Sequence, residues 1–110
     1  MGITKTEIFT VSQNQIARYA KVIAHPARIA ILQKLTDMDT CYCGDIVDDI
    51  GLAQATVSQH LKELKNAGLI KGTVEGTSVC YCIDTENWKN FQSVLSIFLT
   101  KTVRKDNDCC

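Results

Sequence analysis

The sequence lacks the features that would place it in several large classes of proteins. Its uninterrupted apolar runs, such as residues 29–32, are far below the roughly 20 residues that span a bilayer. Twelve basic and twelve acidic residues cancel, which excludes a binder held to nucleic acid by net charge alone. The N-terminal segment has no apolar secretion core. These absences predict a cytoplasmic protein without a membrane partner.

Internal repeats, low-complexity tracts and linkers are also missing, and the remaining composition is ordinary. Of 110 residues, 45% are apolar and 22% are charged, which fits one globular domain. We expect a flexible arm at 1–11, the domain at 12–103 and a flexible tail at 104–110. No nucleophile–base pair or catalytic carboxylate pair stands out, so an enzyme is not expected.

Cysteine is the residue type present in excess. Six cysteines form three close pairs: Cys41 and Cys43, Cys80 and Cys82, Cys109 and Cys110. In a secreted chain an even number would indicate a disulfide framework. Because no export signal is visible and the cytosol keeps thiols reduced, metal or redox chemistry is the better interpretation.

The order of predicted elements indicates a specific architecture. Apolar spacing predicts helices at 12–24 and 26–35, a small helix at 45–50, a turn at 51–53 and a helix at 54–67. Two strands at 69–75 and 78–83 surround Gly76 and Thr77, and Asp84 caps a last helix at 85–103. A helix, a turn, a second helix and a hairpin make a mainly α winged helix-turn-helix, a fold that reads DNA.

The second helix of that unit has a polar face opposite Val57 and Leu61. Side chains of this kind are suited to base edges and phosphates in the major groove, although a solvated helix face explains them equally well. The candidates for DNA contact are Gln54, Thr56, Ser58, Gln59, His60, Lys62 and Lys65. His60 lies on the flank of this helix. The sequence leaves two roles open for it, packing within the chain and contact with a phosphate. His25, at the turn between the first two helices, is expected to be structural.

Two stretches carry a family resemblance. Residues 24–32 (AHPARIAIL) and 52–70 (LAQATVSQHLKELKNAGLI) closely resemble the ArsR/SmtB family of metal-responsive repressors, in register from about residue 15 to residue 83. The resemblance implies a homodimeric winged helix that binds an inverted-repeat operator in double-stranded DNA until a metal or metalloid releases it. Residues 41–46 (CYCGDI) also look like the element with which arsenic sensors of the family bind arsenite.

The chain departs from the family pattern at its sensor and its wing. A glycine follows Cys43, and Ile46 stands where a third thiol is expected. The wing carries cysteines instead of aromatic and basic residues, and its tip is not basic, which puts phosphate contacts by the wing in doubt. The family's other common site, on the last helix, is not expected because residues 84–110 contain no histidine.

Strand geometry offers a source for the missing thiols. The short strand before the helix-turn-helix of winged helices pairs with the second wing strand, which sets residues 41–43 beside residues 80–82. Side chains alternate along a strand, so the thiols of Cys41, Cys43, Cys80 and Cys82 converge if Tyr42 and Tyr81 point to the core. Three sulfurs suit trivalent arsenic or antimony, and four suit zinc or cadmium. Cys109 and Cys110 cap the ion, scavenge it or have no role.

The last helix carries an apolar stripe, which predicts a dimer seam with the first long helix. The alternative is that the stripe belongs to the core of one chain, and the two interpretations overlap. The residues concerned are Ile16, Tyr19, Trp88, Phe91, Leu95 and Phe98. The leading hypothesis is thus a DNA-binding repressor released by arsenite or antimonite. The alternatives are a thiol–disulfide redox-sensing repressor and a protein-interaction domain that uses zinc only for folding.

Overall fold

The computed structural model describes residues 5–44, 46–76 and 78–103. It is mostly helical with one antiparallel hairpin. The elements in chain order are α1 (Lys5–Ile8), α2 (Val11–Val22), α3 (Pro26–Thr36), α4 (Ile46–Ile50), α5 (Gln54–Asn66), β1 (Ile70–Glu75), β2 (Ser78–Ile83) and α6 (Thr85–Leu99). Among these described helices, none has the length and apolarity that crossing a membrane requires.

Local signals in the sequence set most helix boundaries. Thr10 caps α2 through a capping box with Gln13, and Pro26 occupies the first turn of α3. The Asp84 side chain accepts a hydrogen bond from the Asn87 amide at the start of α6. Gly68, with φ of 83°, follows α5 in the left-handed conformation that glycine permits. The predicted cap at Asp84 is therefore confirmed.

The wing is a two-stranded ribbon with a third segment on its inner edge. β1 and β2 pair antiparallel from Ile70 opposite Ile83 to Glu75 opposite Ser78. Tyr42 forms an isolated antiparallel bridge with Tyr81, with N–O distances of 2.7 and 2.9 Å. The predicted pairing of the segment before the helix-turn-helix with the second wing strand is confirmed, although the segment makes only this one bridge.

The core lies between α2, α3, the helix-turn-helix and α6. Ile31, Val57, Leu64 and Leu69 are at most 1% exposed and form its centre. Phe91 joins it from α6, where its ring meets that of Tyr19 edge-on at 5.1 Å between centroids. The helical unit α4–α5 thus stands on the same core as the hairpin that follows it, which gives the predicted winged helix-turn-helix arrangement.

Two elements differ from their predicted boundaries. α6 ends at Leu99 and not at residue 103, because the Thr100 amide and hydroxyl both donate to the Ser96 carbonyl and close the last turn. Within the predicted arm, residues 5–8 form the short helix α1. The predicted tail, 104–110, lies outside the described residues.

Candidate nucleic-acid interface and thiol cluster

The polar face of α5 is open to solvent. Val57, Leu61 and Leu64 bury the opposite face, with exposures of 0%, 7% and 0%. The predicted DNA contacts that are exposed are Gln54, Thr56, Ser58, Gln59, Lys62 and Lys65. Each of these six side chains is therefore accessible from solvent. In this state the Gln59 amide donates to a Glu63 carboxylate oxygen at 2.9 Å, one turn along the helix.

His60 differs from the other predicted contacts because it is half-buried and bonded within the chain. Its Nδ1 accepts a hydrogen bond from Arg28 Nε at 3.0 Å, and its ring lies 5.5 Å from that of His25. Burial lowers the pKa of His60 below its ordinary value, and the nearby Arg28 and His25 lower it further. Arg28, which lies 32 residues from His60 along the chain, is not among the site residues predicted above.

The four cysteines of the bridge region meet in two pairs. Cys41 is disulfide-bonded to Cys82 and Cys43 to Cys80, with Cα–Cα separations of 4.4 and 4.2 Å. The register follows from the bridge between Tyr42 and Tyr81, because antiparallel pairing sets the residues on either side of it opposite one another. The predicted convergence of these four sulfurs is present in the structure as two disulfides.

Accessibility differs within the thiol cluster, by which we mean Cys41, Cys43, Cys80 and Cys82. Cys41 and Cys43 are exposed and Cys82 is half-buried, whereas Cys80 is 1% exposed. Cys80 lies opposite Thr73 of β1 and is bonded on its other side to Cys43. Reagents in solution therefore reach the cluster from its Cys41 and Cys43 side.

The chemistry of the cluster depends on its oxidation state. Thiolates are ligands for soft ions, and a disulfide sulfur does not replace them. In the disulfide-bonded form, the described part of the chain has no group of three or more His, Cys, Asp or Glu side chains placed to hold a metal ion. Reduction of both disulfides would supply two pairs of thiols, the type of donor that a thiophilic ion prefers. Cys109 and Cys110 lie outside the described residues.

Tyr42 links the thiol cluster to the helix-turn-helix. Its ring packs against the core, as does that of Tyr81, so both tyrosines lie on the side of their segments predicted for them. The Tyr42 hydroxyl is hydrogen-bonded to the Asp49 carboxylate on α4. Lys34 of α3 lies 3.6 Å from the same carboxylate and 5.6 Å from the centre of the Tyr42 ring. The spacing of these residues gave no signal for this contact, which connects three elements.

The predicted dimer residues fall into two groups. Tyr19 and Phe91 are buried within one chain, and the Trp88 ring lies 4.9 Å from that of Phe91. Ile16 and Leu95 are half-buried, and Phe98 is 56% exposed. The interior interpretation therefore describes Tyr19 and Phe91 better, whereas the far end of α6 presents an uncovered apolar face.

Comparison with known proteins agrees with this arrangement. A family model described as the arsR family of bacterial regulatory proteins matches residues 25–71, which run from the turn before α3 into β1. The HTH-type transcriptional regulator CmtR of Mycobacterium tuberculosis is 37% identical over 71 residues, which are 64% of this chain. The match spans 59% of the length of CmtR.

Two solved structures share the fold over most of the chain. The crystal structure of Mycobacterium tuberculosis Rv0081 is 30% identical, with a TM-score of 0.61 over 83% of this chain and 95% of that one. The homodimeric winged helix-turn-helix DNA-binding domain of Mb0332 from Mycobacterium bovis is 25% identical, with a TM-score of 0.63 over 89% of this chain and 88% of that one. The matched family model, the sequence relative and the shared fold lead to one assignment: the chain belongs to the ArsR family of bacterial helix-turn-helix regulatory proteins.

Proposed function

We propose that the chain is a homodimeric transcriptional repressor that leaves its operator when its reduced thiols bind trivalent arsenic or antimony. The observation that carries the proposal is the bridge between Tyr42 and Tyr81, which gathers four cysteines beside the helix-turn-helix. Family membership supports the DNA-binding part, and the cysteine content of the cluster supports the soft inducer.

The exposed face of α5 is the proposed DNA reader. Gln59 and Thr56 have side chains that read base edges, and Lys62 and Lys65 bring positive charge to the phosphates. To read a base, the Gln59 side chain must first give up its hydrogen bond to Glu63. In the DNA-free chain that bond keeps the Gln59 amide on the surface of α5. The chain has no net positive charge, which places the attraction for DNA on this local surface.

The dimer is proposed at the uncovered apolar face of α1, the start of α2 and the end of α6. Val11 is 85% exposed, Ile97 73% and Leu99 71%, values that burial against a second copy would reduce. A symmetric dimer would set two α5 helices roughly 34 Å apart, the spacing of half-sites on one face of DNA.

Cys41, Cys43, Cys80 and Cys82 are the residues proposed to hold the inducer. When bound, the ion supplies strong bonds to three or four thiolates that otherwise belong to two separate segments. Three sulfurs satisfy arsenic or antimony, whereas zinc or cadmium would use all four. Because Cys80 lies in β2 and Cys43 in the segment before α4, one ion would fix the wing relative to the helix-turn-helix.

The contact between Tyr42 and Asp49 is the proposed route from the thiols to the DNA reader. It joins the residue between Cys41 and Cys43 to α4, and α4 packs against α5 in the core. A difference in inducer affinity between the DNA-bound and free states of about 1–3 kcal/mol is enough to change operator affinity roughly 5–150-fold.

A second candidate function is favoured by the two disulfides. Oxidation of the Cys41–Cys82 and Cys43–Cys80 pairs would join the same two segments that the ion joins. Each pair of thiols loses two protons and two electrons, and a molecule of hydrogen peroxide takes them up to give two molecules of water. A redox-sensing repressor would therefore use the same cluster with a different signal.

The deciding experiment is a titration of fully reduced protein on its own promoter DNA. Arsenite, antimonite, cadmium and zinc are added in turn under anaerobic conditions, and operator binding is followed by fluorescence anisotropy. We expect arsenite or antimonite to release the DNA at one ion per subunit, and the Cys43→Ser and Cys80→Ser variants to bind DNA but resist release. Release by hydrogen peroxide alone, with no response to any ion, would replace the first candidate by the second.

A further inference from the structure

The Arg28 side chain joins three elements through two hydrogen bonds. Arg28 lies in the first turn of α3. Its Nε donates to His60 Nδ1 on α5, and its Nη1 donates to the carbonyl of Val22, the last residue of α2, each at 3.0 Å. One guanidinium thus ties the proposed DNA-reading helix to the corner between α2 and α3.

We propose that Arg28 is a positioning residue that holds α5 in its DNA-reading orientation through neutral His60, so that operator binding weakens when His60 takes up a proton. The inference rests on the DNA-reading role proposed above for α5. It adds a residue outside the reading face and a dependence on pH, neither of which involves the thiol cluster.

The hydrogen bond requires the neutral form of His60. Arginine is a permanent donor and has no acceptor atom, so Nδ1 must offer a lone pair and the ring proton must lie on Nε2. A second proton converts Nδ1 into a donor that faces the donor of Arg28. The bond is then lost and two cations are left in contact, which drives the His60 ring and the guanidinium apart.

The charged surroundings of His60 keep it neutral. Arg28 approaches from α3 and His25 from the turn before α3, with its ring 5.5 Å away. Along α5 the nearby acid is Glu63, which already accepts a hydrogen bond from Gln59 at 2.9 Å. Burial, followed by Arg28 and His25, lowers the pKa of His60 below its ordinary value of 6.5. The neutral form is therefore dominant in the folded chain at pH 7.5 and is lost on acidification.

The position of the bond explains why it would affect DNA binding more than folding. The buried stripe of Val57, Leu61 and Leu64 keeps α5 on the core when the Arg28 bond is absent. Arg28 adds a tether on the flank of α5 and anchors it to Val22 at the end of α2. Because α2 contributes to the proposed dimer face, this tether sets the reading helix relative to the second subunit.

The test is operator binding by the reduced, full-length protein between pH 5.5 and 7.5, with a scrambled duplex of equal length as the control. In the His60→Asn variant the amide oxygen replaces Nδ1 as acceptor and does not titrate. We expect the operator affinity of the parent to fall progressively, by less than about tenfold, between pH 7.5 and pH 5.5. The His60→Asn variant should bind like the parent at pH 7.5 and keep that affinity on acidification. Arg28→Gln should bind about tenfold more weakly at pH 7.5.

Controls separate this role from general effects. His25→Asn should retain the acid weakening of the parent, and thermal unfolding by circular dichroism should show that Arg28→Gln is folded at the assay temperature. Nitrogen NMR of the DNA-free parent should show neutral His60 with its proton on Nε2, a result that does not depend on operator binding.

Several results would overturn the inference while leaving the proposed function intact. They are an Arg28→Gln variant that is folded and binds like the parent, a His60→Asn variant that weakens with acid as the parent does, or a neutral His60 with its proton on Nδ1. A parent that binds its promoter no better than the scrambled duplex at every pH would instead remove the proposed function together with this inference.

Discussion

The proposed DNA-reading helix, α5, and the thiol cluster are held by different physical forces. Three side chains of α5 with 0–7% exposure keep that helix on the core without a ligand. The segment that carries Cys41 and Cys43 has both cysteines exposed and joins the wing through a single bridge at Tyr42. The comparison indicates that α5, the proposed reader, is preformed. The order of the segment that carries Cys41 and Cys43, the proposed sensor, depends on what its thiols are bonded to.

The largest expected effect is a loss of stability when core packing beneath α5 is removed. Leu64→Ala should lower the free energy of unfolding by about 2–5 kcal/mol, because Leu64 is fully buried and the cavity cannot close completely. Val74→Ala is the matched control, since Val74 is 74% exposed and its loss should change stability by less than about 0.5 kcal/mol. Equal losses in urea unfolding of the two variants would show that α5 is not fixed by its core.

Base reading by the preformed helix should be separable from phosphate attraction. Gln59→Ala is expected to reduce discrimination between operator and altered operator by about 1–3 kcal/mol, because Gln59 is the residue proposed to read a base edge. Lys62→Ala should weaken binding to all sequences and reduce the salt slope by about one. The measurement is anisotropy on a set of single-base operator variants at several salt concentrations. Parent-like binding by both variants would mean that another surface reads the DNA.

Tyr42→Phe tests the contact that joins the thiol cluster to the helix-turn-helix. The substitution removes the hydrogen bond to Asp49 but keeps the ring against the core, so we expect a loss of stability of only about 0.5–1.5 kcal/mol. Operator affinity in the absence of inducer should be unchanged, whereas release by arsenite should weaken. Tyr81→Phe serves as the control, because Tyr81 lies across the bridge on β2. Full release of the Tyr42→Phe variant would exclude this contact as the route of coupling.

The same contrast explains what the sequence could predict. Helical spacing, Pro26 and Gly68 are local signals, and they located the helix-turn-helix to within a few residues. Strand alternation placed the four cysteines together, because an antiparallel bridge leaves only one way for the pairs to meet.

Contacts between distant side chains left no local signal. Arg28 and His60 are 32 residues apart, and neither Asp49 nor Lys34 is distinguished by its spacing from Tyr42. The burial of Cys80 was also missed, because strand alternation gives the face on which a side chain lies and not how far it is covered. The end of α6 was placed too late because the apolar pattern continues to Val103, although Thr100 closes the helix.

Hydrogen exchange at single amides tests most directly the claim that the reader is preformed and the sensor is conditional. The Tyr42 and Tyr81 amides, which form the bridge, are compared with the Leu64 amide in α5 for reduced, oxidised and arsenite-bound protein. We predict fast exchange of the two bridge amides in the reduced protein and strong protection in the other two states, with Leu64 protected equally in all three. Bridge amides that are protected to the same degree in every state, or a Leu64 amide that changes with them, would contradict the account.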